Sequence, residues 1–437
     1  MIRPFVTVIA PLLCACLDVQ PAAMYCATEP APAASRQPGM TYHRDIEPLI
    51  NAKCAGCHSN SGAGPFSLTN WAEVKPHVDE IFAAVVGRRM PPWPPAPCCH
   101  EYLRPLALSD EQIAAVRGWV DQGAKEGAPT QVTPYARQGL ERIDVAAPMP
   151  EAYWPAPANG ATDDTRCFLL DWTPEVTTYV RGIDVRPGAR AQMHHGLVSL
   201  VTKDDAKALQ KIDDAAPGLG WPCPGGIVSN MKSGLGGAFQ EAQLYADGTG
   251  VEVAPGERLV LSMHYSLPAN GAFVPDQTVV QLLTQTEPVT PVVYVAVFNP
   301  TWVIGGMPIG RGQPSVVHRY ADEPTLYNGG APYLIYAVTL HMHERGQRGQ
   351  VTILRANGDR ECLLQIDTWK YEHQGDYQLK SPVRLAPKDR VLVECRWDNS
   401  ADRQKVRNGV PEASRDLNWS ESEEMCIAFL TTTLAPK

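Results

Sequence analysis

Beyond residue 158 the chain is cut into short β-rich runs, and that punctuation limits the folds open to it. The runs span Gly196 to Val201, Arg258 to Ser266, Tyr333 to Leu340, Gln350 to Leu354, Arg390 to Cys395 and Cys426 to Thr431. Asn357-Gly358, between two of them, is a strong hairpin signal, because both residues tolerate the positive φ of a tight turn. The 40 prolines and 35 glycines favour turns and short strands over long helices. Regularly spaced strands predict β-sandwiches, and roughly 275 residues give room for two.

The N-terminal part reads differently. Residues 39–127 form a compact segment whose end carries a helix signature. Ser109 can cap a helix, and Gln112 can reach back as its capping-box partner. Ile113, Val116, Trp119 and Val120 then recur at helical spacing, and Gly123 is a plausible stop. Inside this segment Cys54-Ala55-Gly56-Cys57-His58 has the C-x-x-C-H pattern of covalent haem attachment. Two thiols on one tight turn can each bond a porphyrin vinyl group, and His58 can then ligate the iron from below. A disulfide or a zinc knuckle is the alternative, but no second ligand pair stands at matching spacing. Met90, in Arg89-Met90-Pro91-Pro92-Trp93, is the expected sixth ligand. A thioether raises the potential of a one-electron carrier, and the paired prolines would aim the sulfur. A core methionine is the other reading of Met90, and His77 and His100 are its rivals as ligands. The segment resembles the small class-I cytochrome c domains.

The expected fold class is therefore multidomain: a small all-α cytochrome c domain followed by two all-β sandwich, jelly-roll-like domains. The expected boundaries are a signal peptide at 1–27, a flexible leader at 28–38, the haem domain at 39–127, a linker at 128–158, and β-sandwiches at 159–285 and 286–437. The signal rests on Arg3 followed by the apolar run Phe5 to Leu17, with a buried N-terminal helix as the alternative. Leu13-Cys14-Ala15-Cys16 loosely resembles a bacterial lipoprotein box, which would imply a lipid anchor at Cys16. Twelve cysteines suit an oxidising compartment, so the expected location is the bacterial periplasm or the outer membrane's surface. A net charge of −9 with no basic run points away from nucleic acid.

Five of the eleven histidines fall in three tight places within the β-rich part: His194-His195, His264, and His341-Met342-His343. Residues two apart on a strand share a face, so His341 and His343 can hold one metal together. Adjacent residues face opposite ways, so His194 and His195 need a bulge or a strand end to converge with His264. Taken singly, each cluster is more often a satisfied hydrogen-bonding set than a ligand set. His43, His318 and His373 have no such company.

In their order and context these residues resemble the copper type II, ascorbate-dependent monooxygenase family, which includes peptidylglycine α-hydroxylating and dopamine β-monooxygenases. The resemblance covers roughly residues 160 to 435 and takes in Ser422-Glu423-Glu424-Met425-Cys426. It implies two copper ions. His194, His195 and His264 would hold the electron-transfer copper, and His341, His343 and Met425 the oxygen-activating one. Imidazole suits both copper oxidation states, and a thioether favours the reduced form that meets dioxygen. The resemblance also implies a Cys395–Cys426 disulfide. Cys167 with Cys223 looks like a second bridge, while Cys98, Cys99 and Cys362 stand without an assigned partner.

The chain departs from the peptide-amidating relatives at three places. Their substrate-carboxylate Arg, Asn and Tyr fall on Thr339, Ile427 and Phe429 here. A buried carboxylate without its cation is strongly disfavoured, so a peptide C-terminus is not the expected substrate. The expected function is hydroxylation of a C–H bond in a small, apolar molecule with O2. Its electrons would come through the haem from an ascorbate-like reductant or a redox protein. The alternative is a non-catalytic haem and copper protein that only carries electrons or binds copper.

Overall fold

The computed structural model describes residues 32–436, apart from 60, 61, 63, 94, 158–162, 224–230, 238–240, 268–271, 405, 408, 409, 421 and 422. The expected signal peptide, Cys16 and the start of the leader lie outside the described residues. So does the side chain of His194.

Four principal β-sheets dominate, and the helices are few and short. A six-stranded sheet joins, in order, Val145–Pro148, Val279–Gln285, Thr178–Arg186, Thr249–Val253 and Thr290–Pro291, with Gln243–Leu244 pairing Thr178–Arg186 as well. A five-stranded sheet runs Trp221–Pro222, Asp163–Leu169, Arg258–Ser266, Met193–Val201 and Met231–Gly237. These two share one core, in which Ile183, Val185, Val280 and Leu282 meet Val198, Leu200, Leu261 and Met263. The other two sheets have four strands each. One orders Val293–Val297, Ile427–Leu434, Tyr333–His341 and Tyr377–Leu385; the other orders Val316–Asp322, Arg390–Trp397, Gly346–Leu354 and Arg360–Ile366. Their shared core includes Ile335, Val338, Leu340, Val351, Ile353, Leu364 and Val393. The Asn357-Gly358 turn joins Gly346–Leu354 to its antiparallel neighbour, with Gly358 at φ 94°.

This four-sheet architecture corrects the expected succession of an all-α cytochrome c domain and two jelly-roll-like sandwich domains. Helices do form near the N-terminus. Asp110–Asp121 carries the full Ser109/Gln112 capping box, and Ile113, Val116 and Trp119 bury against Tyr42 and Ile46. Yet the segment is not all helix. Its proline-rich stretch cannot continue a helix, and it lies along the C-terminal strands instead. Ala96 N–H donates to the Gln365 carbonyl (2.8 Å) and Leu103 N–H to the Gln378 carbonyl (2.7 Å). Tyr102 is buried among the C-terminal strands, edge-on to Trp93 and Tyr377, and Cys99 is disulfide-bonded to Cys362. Residues read as linker also enter a sheet: Val145–Pro148 is an outer strand of the six-stranded one.

The strand carrying the His-x-His pair shows how sequence sets direction. Its register shifts between Ile335 and Ala337, a bulge that changes which residues face inward. Beyond it Val338, Leu340 and Met342 enter the core, so Thr339, His341 and His343 share the opposite face. In the first half of the β-rich part, Leu261, Met263 and Tyr265 face their core and His264 faces away. Among the described residues no helix is long and apolar enough to cross a membrane.

Candidate metal centres

Two histidine pairs stand on sheet faces turned away from the two hydrophobic cores, with His264 and His343 buried there. His341 and His343 bring their Nε2 atoms to 3.1 Å. The Nδ1 of His341 is 2.8 Å from Gln374 Oε1, and that of His343 is 3.1 Å from the Glu423 carbonyl. Both partners accept, so each ring carries its proton on Nδ1 and turns a bare Nε2 lone pair toward the other. Burial, with His343 next to it, pushes His341 down to about 3, and burial also lowers His343. No proton relieves that opposition near neutral pH. A cation between the two nitrogens would, and 3.1 Å suits two nitrogens sharing one ion at roughly 2.0 Å each.

Met425 is buried and lies two residues before Ile427, which pairs with His341 in antiparallel register. Glu424 secures the arrangement from within. Its fully buried carboxylate accepts the backbone N–H of His343 (3.0 Å) and Arg345 (2.6 Å) and the Trp397 indole N–H (2.7 Å). Burial pushes its carboxyl up to about 8, against donors that favour the charged form. The Cys395–Cys426 disulfide ties the same corner to the facing sheet.

The second pair is His195 and His264. They are cross-strand partners with ring centroids 4.8 Å apart. The register skips between Met193 and His195, which makes His194 the extra residue of a bulge. His264 Nε2 lies 3.1 Å from Asp163 Oδ1, a carboxylate that stands in no recognisable motif. Among the described residues no three His, Cys, Asp or Glu side chains gather into a metal cluster. The convergence is in pairs, and each resemblance-based third ligand, His194 or the thioether of Met425, lies outside that set.

The chain is similar in part to a copper enzyme family. Residues 323–432 match the model of the copper type II ascorbate-dependent monooxygenase C-terminal domain, a stretch that includes His341, His343 and Met425. The MOXD1 homolog 1 of Drosophila melanogaster is 24% identical over 97 residues, which is 22% of this chain and 13% of that protein. Among solved structures, coconut allergen cocosin aligns at 11% identity over 68% of this chain and 86% of its own, with a TM-score of 0.13. A likeness at that level carries no argument about fold.

At the N-terminal motif, Cys54 and Cys57 carry thiols and not a disulfide. His58 Nδ1 is 3.0 Å from the Phe66 carbonyl, so its proton is fixed there and Nε2 is left for a ligand. Met90 is 38% exposed in the turn after the helix Val78–Val86. His77 stacks on Phe66 at 3.8 Å, with its Nδ1 on Glu80. His100 lies beside Glu361, and His318 Nε2 beside the Pro308 carbonyl. Cys167 pairs with Cys223, and Cys98 is disulfide-bonded too.

Proposed function

We propose that this chain is an exported copper monooxygenase that hydroxylates a C–H bond of a small, apolar substrate. The convergence of the His341 and His343 Nε2 atoms at 3.1 Å, with each Nδ1 held by an oxygen acceptor, carries that reading. His341, His343 and Met425 would hold one copper, and His194, His195 and His264 the other. Bound copper supplies one-electron redox chemistry and the activation of dioxygen. The net reaction joins O2, two electrons, two protons and a C–H bond to give C–OH and water.

The chain's own groups then have separate duties. Gln374 and the Glu423 carbonyl fix the tautomers and ring planes of His341 and His343, and Glu424 fixes the backbone between them. Thr339 and Phe429 are cross-strand partners one pleat from His341, which lies across from Ile427. Thr339 donates to Asp376 Oδ1 at 3.0 Å, so an acidic group stands where amidating relatives keep a cation. A substrate carboxylate would meet repulsion there, which supports an uncharged substrate.

Cys54 and Cys57 would anchor one haem c, His58 and Met90 would hold its iron, and the haem would supply one-electron transfer. Three disulfides among the described residues support an oxidising, extracytoplasmic location. The test is oxygen uptake by the copper-loaded full chain with a reductant and a panel of apolar hydrocarbons. One hydroxylated product per O2 consumed is the expected result. Redox cycling without oxygenated product would overturn the enzyme reading in favour of an electron carrier.

A further inference from the structure

The loop between Arg360–Ile366 and Tyr377–Leu385 belongs to one histidine pair but reaches the other. It is pinned to the His341/His343 side twice. Trp369 Nε1 donates to the His343 carbonyl at 3.0 Å, and Gln374 holds His341 Nδ1. Between these pins a single 3-10 turn, Tyr371–His373, is closed by Gln374 Nε2 donating to the Tyr371 carbonyl at 3.1 Å. That turn sends the Tyr371 ring across to the other half. Its centroid lies 6.0 Å from His343, 6.0 Å from His195 and 6.1 Å from His264. The contacts with His195 and His343 are edge-on, at 84° and 77°. One aromatic ring therefore touches three of the five candidate imidazoles, from both halves of the β-rich part.

We infer that Tyr371 is a positioning residue, a strut whose ring sets the separation between the two copper centres. The inference rests on the copper reading above. An aromatic ring has two stiff side-chain torsions and a fixed width, so it spaces its neighbours where a flexible chain would not. The contacts with His195, His264 and His343 are made by the ring, which phenylalanine keeps, so Tyr371→Phe should preserve the spacing.

The test is pulsed dipolar EPR on the full chain loaded with Cu(II), with copper content measured on the same samples. Wild type and Tyr371→Phe should both bind two coppers and give the same narrow distance distribution. Tyr371→Ala should broaden or move that distribution, or lose copper from one centre while Tyr371→Phe keeps both. An alanine variant with two coppers and an unchanged distribution would overturn the strut, as would a phenylalanine variant that behaves like alanine. A wild-type chain that binds no copper would instead overturn the copper reading itself.

Discussion

His341 and His343 face each other through Nε2 at 3.1 Å while the Nδ1 of each is held by an acceptor. On the copper reading proposed above, imidazoles so arranged would form a preorganised cation site, because hydrogen bonds on the far side fix both ring planes. The arrangement depends on a one-residue bulge at the start of the strand, on Gln374 in a following loop and on the Glu424 corner.

Glu424 is the most consequential structural side chain in that corner. Glu424→Ala leaves two backbone N–H groups and one indole N–H buried without an acceptor. At about 1 to 3 kcal/mol for each orphaned donor, the variant should lose roughly 3 kcal/mol or more of stability. Chemical denaturation of the two proteins measures it. A loss below about 1 kcal/mol would mean that water reaches these donors.

Asp376 should make stability depend on pH. Burial pushes its carboxyl from 3.8 up to about 6, opposed by hydrogen bonds from Thr339 and Gln243, and Tyr245, Tyr294 and Tyr377 surround it. Between those values the folded chain holds a proton that the unfolded chain has released. The site's contribution is therefore fully present below about pH 4 and is lost as pH rises through about 6. Asp376→Asn should gain Tm relative to wild type across that window. A Tm difference that stays constant from about pH 4 to about pH 7 would contradict this assignment.

The Cys99–Cys362 bridge joins residues 263 apart in sequence and fastens the proline-rich strap to the C-terminal strands. Replacing both by serine should cost about 2 to 5 kcal/mol and open the strap to proteases near Leu103, which is 45% exposed. Limited proteolysis followed by mass spectrometry reads this out. Identical cleavage in both proteins would show that Tyr102 and the backbone bridges suffice.

Cys54→Ser with Cys57→Ser should abolish covalent haem, read as loss of haem staining after denaturing electrophoresis. Met90→Ala should keep the stain but lower the midpoint potential, since the thioether favours reduced iron. An unchanged potential would move the sixth ligand elsewhere, with His77 and His100 as its rivals.

Much of this site can be read in the residue order. Period-two alternation assigns His341 and His343 to one face, and the adjacency of His194 and His195 demands the bulge now located between Met193 and His195. The Cys395–Cys426 bridge is what the family resemblance implies, and it and the Cys167–Cys223 bridge are both present. Other features leave no local trace. Tyr371 sits between Lys370 and Glu372 and reads as an ordinary surface turn; its role exists only once two distant sheets are brought together. Cys99 and Cys362 are too far apart in sequence for spacing to pair them. The all-α expectation failed because a well-capped helix at Asp110–Asp121 says nothing about residues 93–103, whose extended backbone finds its partners on another part's strands.

Copper content of the purified full chain, measured for wild type, His341→Ala and His264→Ala, decides whether these histidines hold copper. Two coppers are expected in wild type and one in each variant, with the remaining ion showing a different EPR signature in the two cases. Wild-type protein with no stoichiometric copper, or variants that retain both ions, would contradict the copper reading.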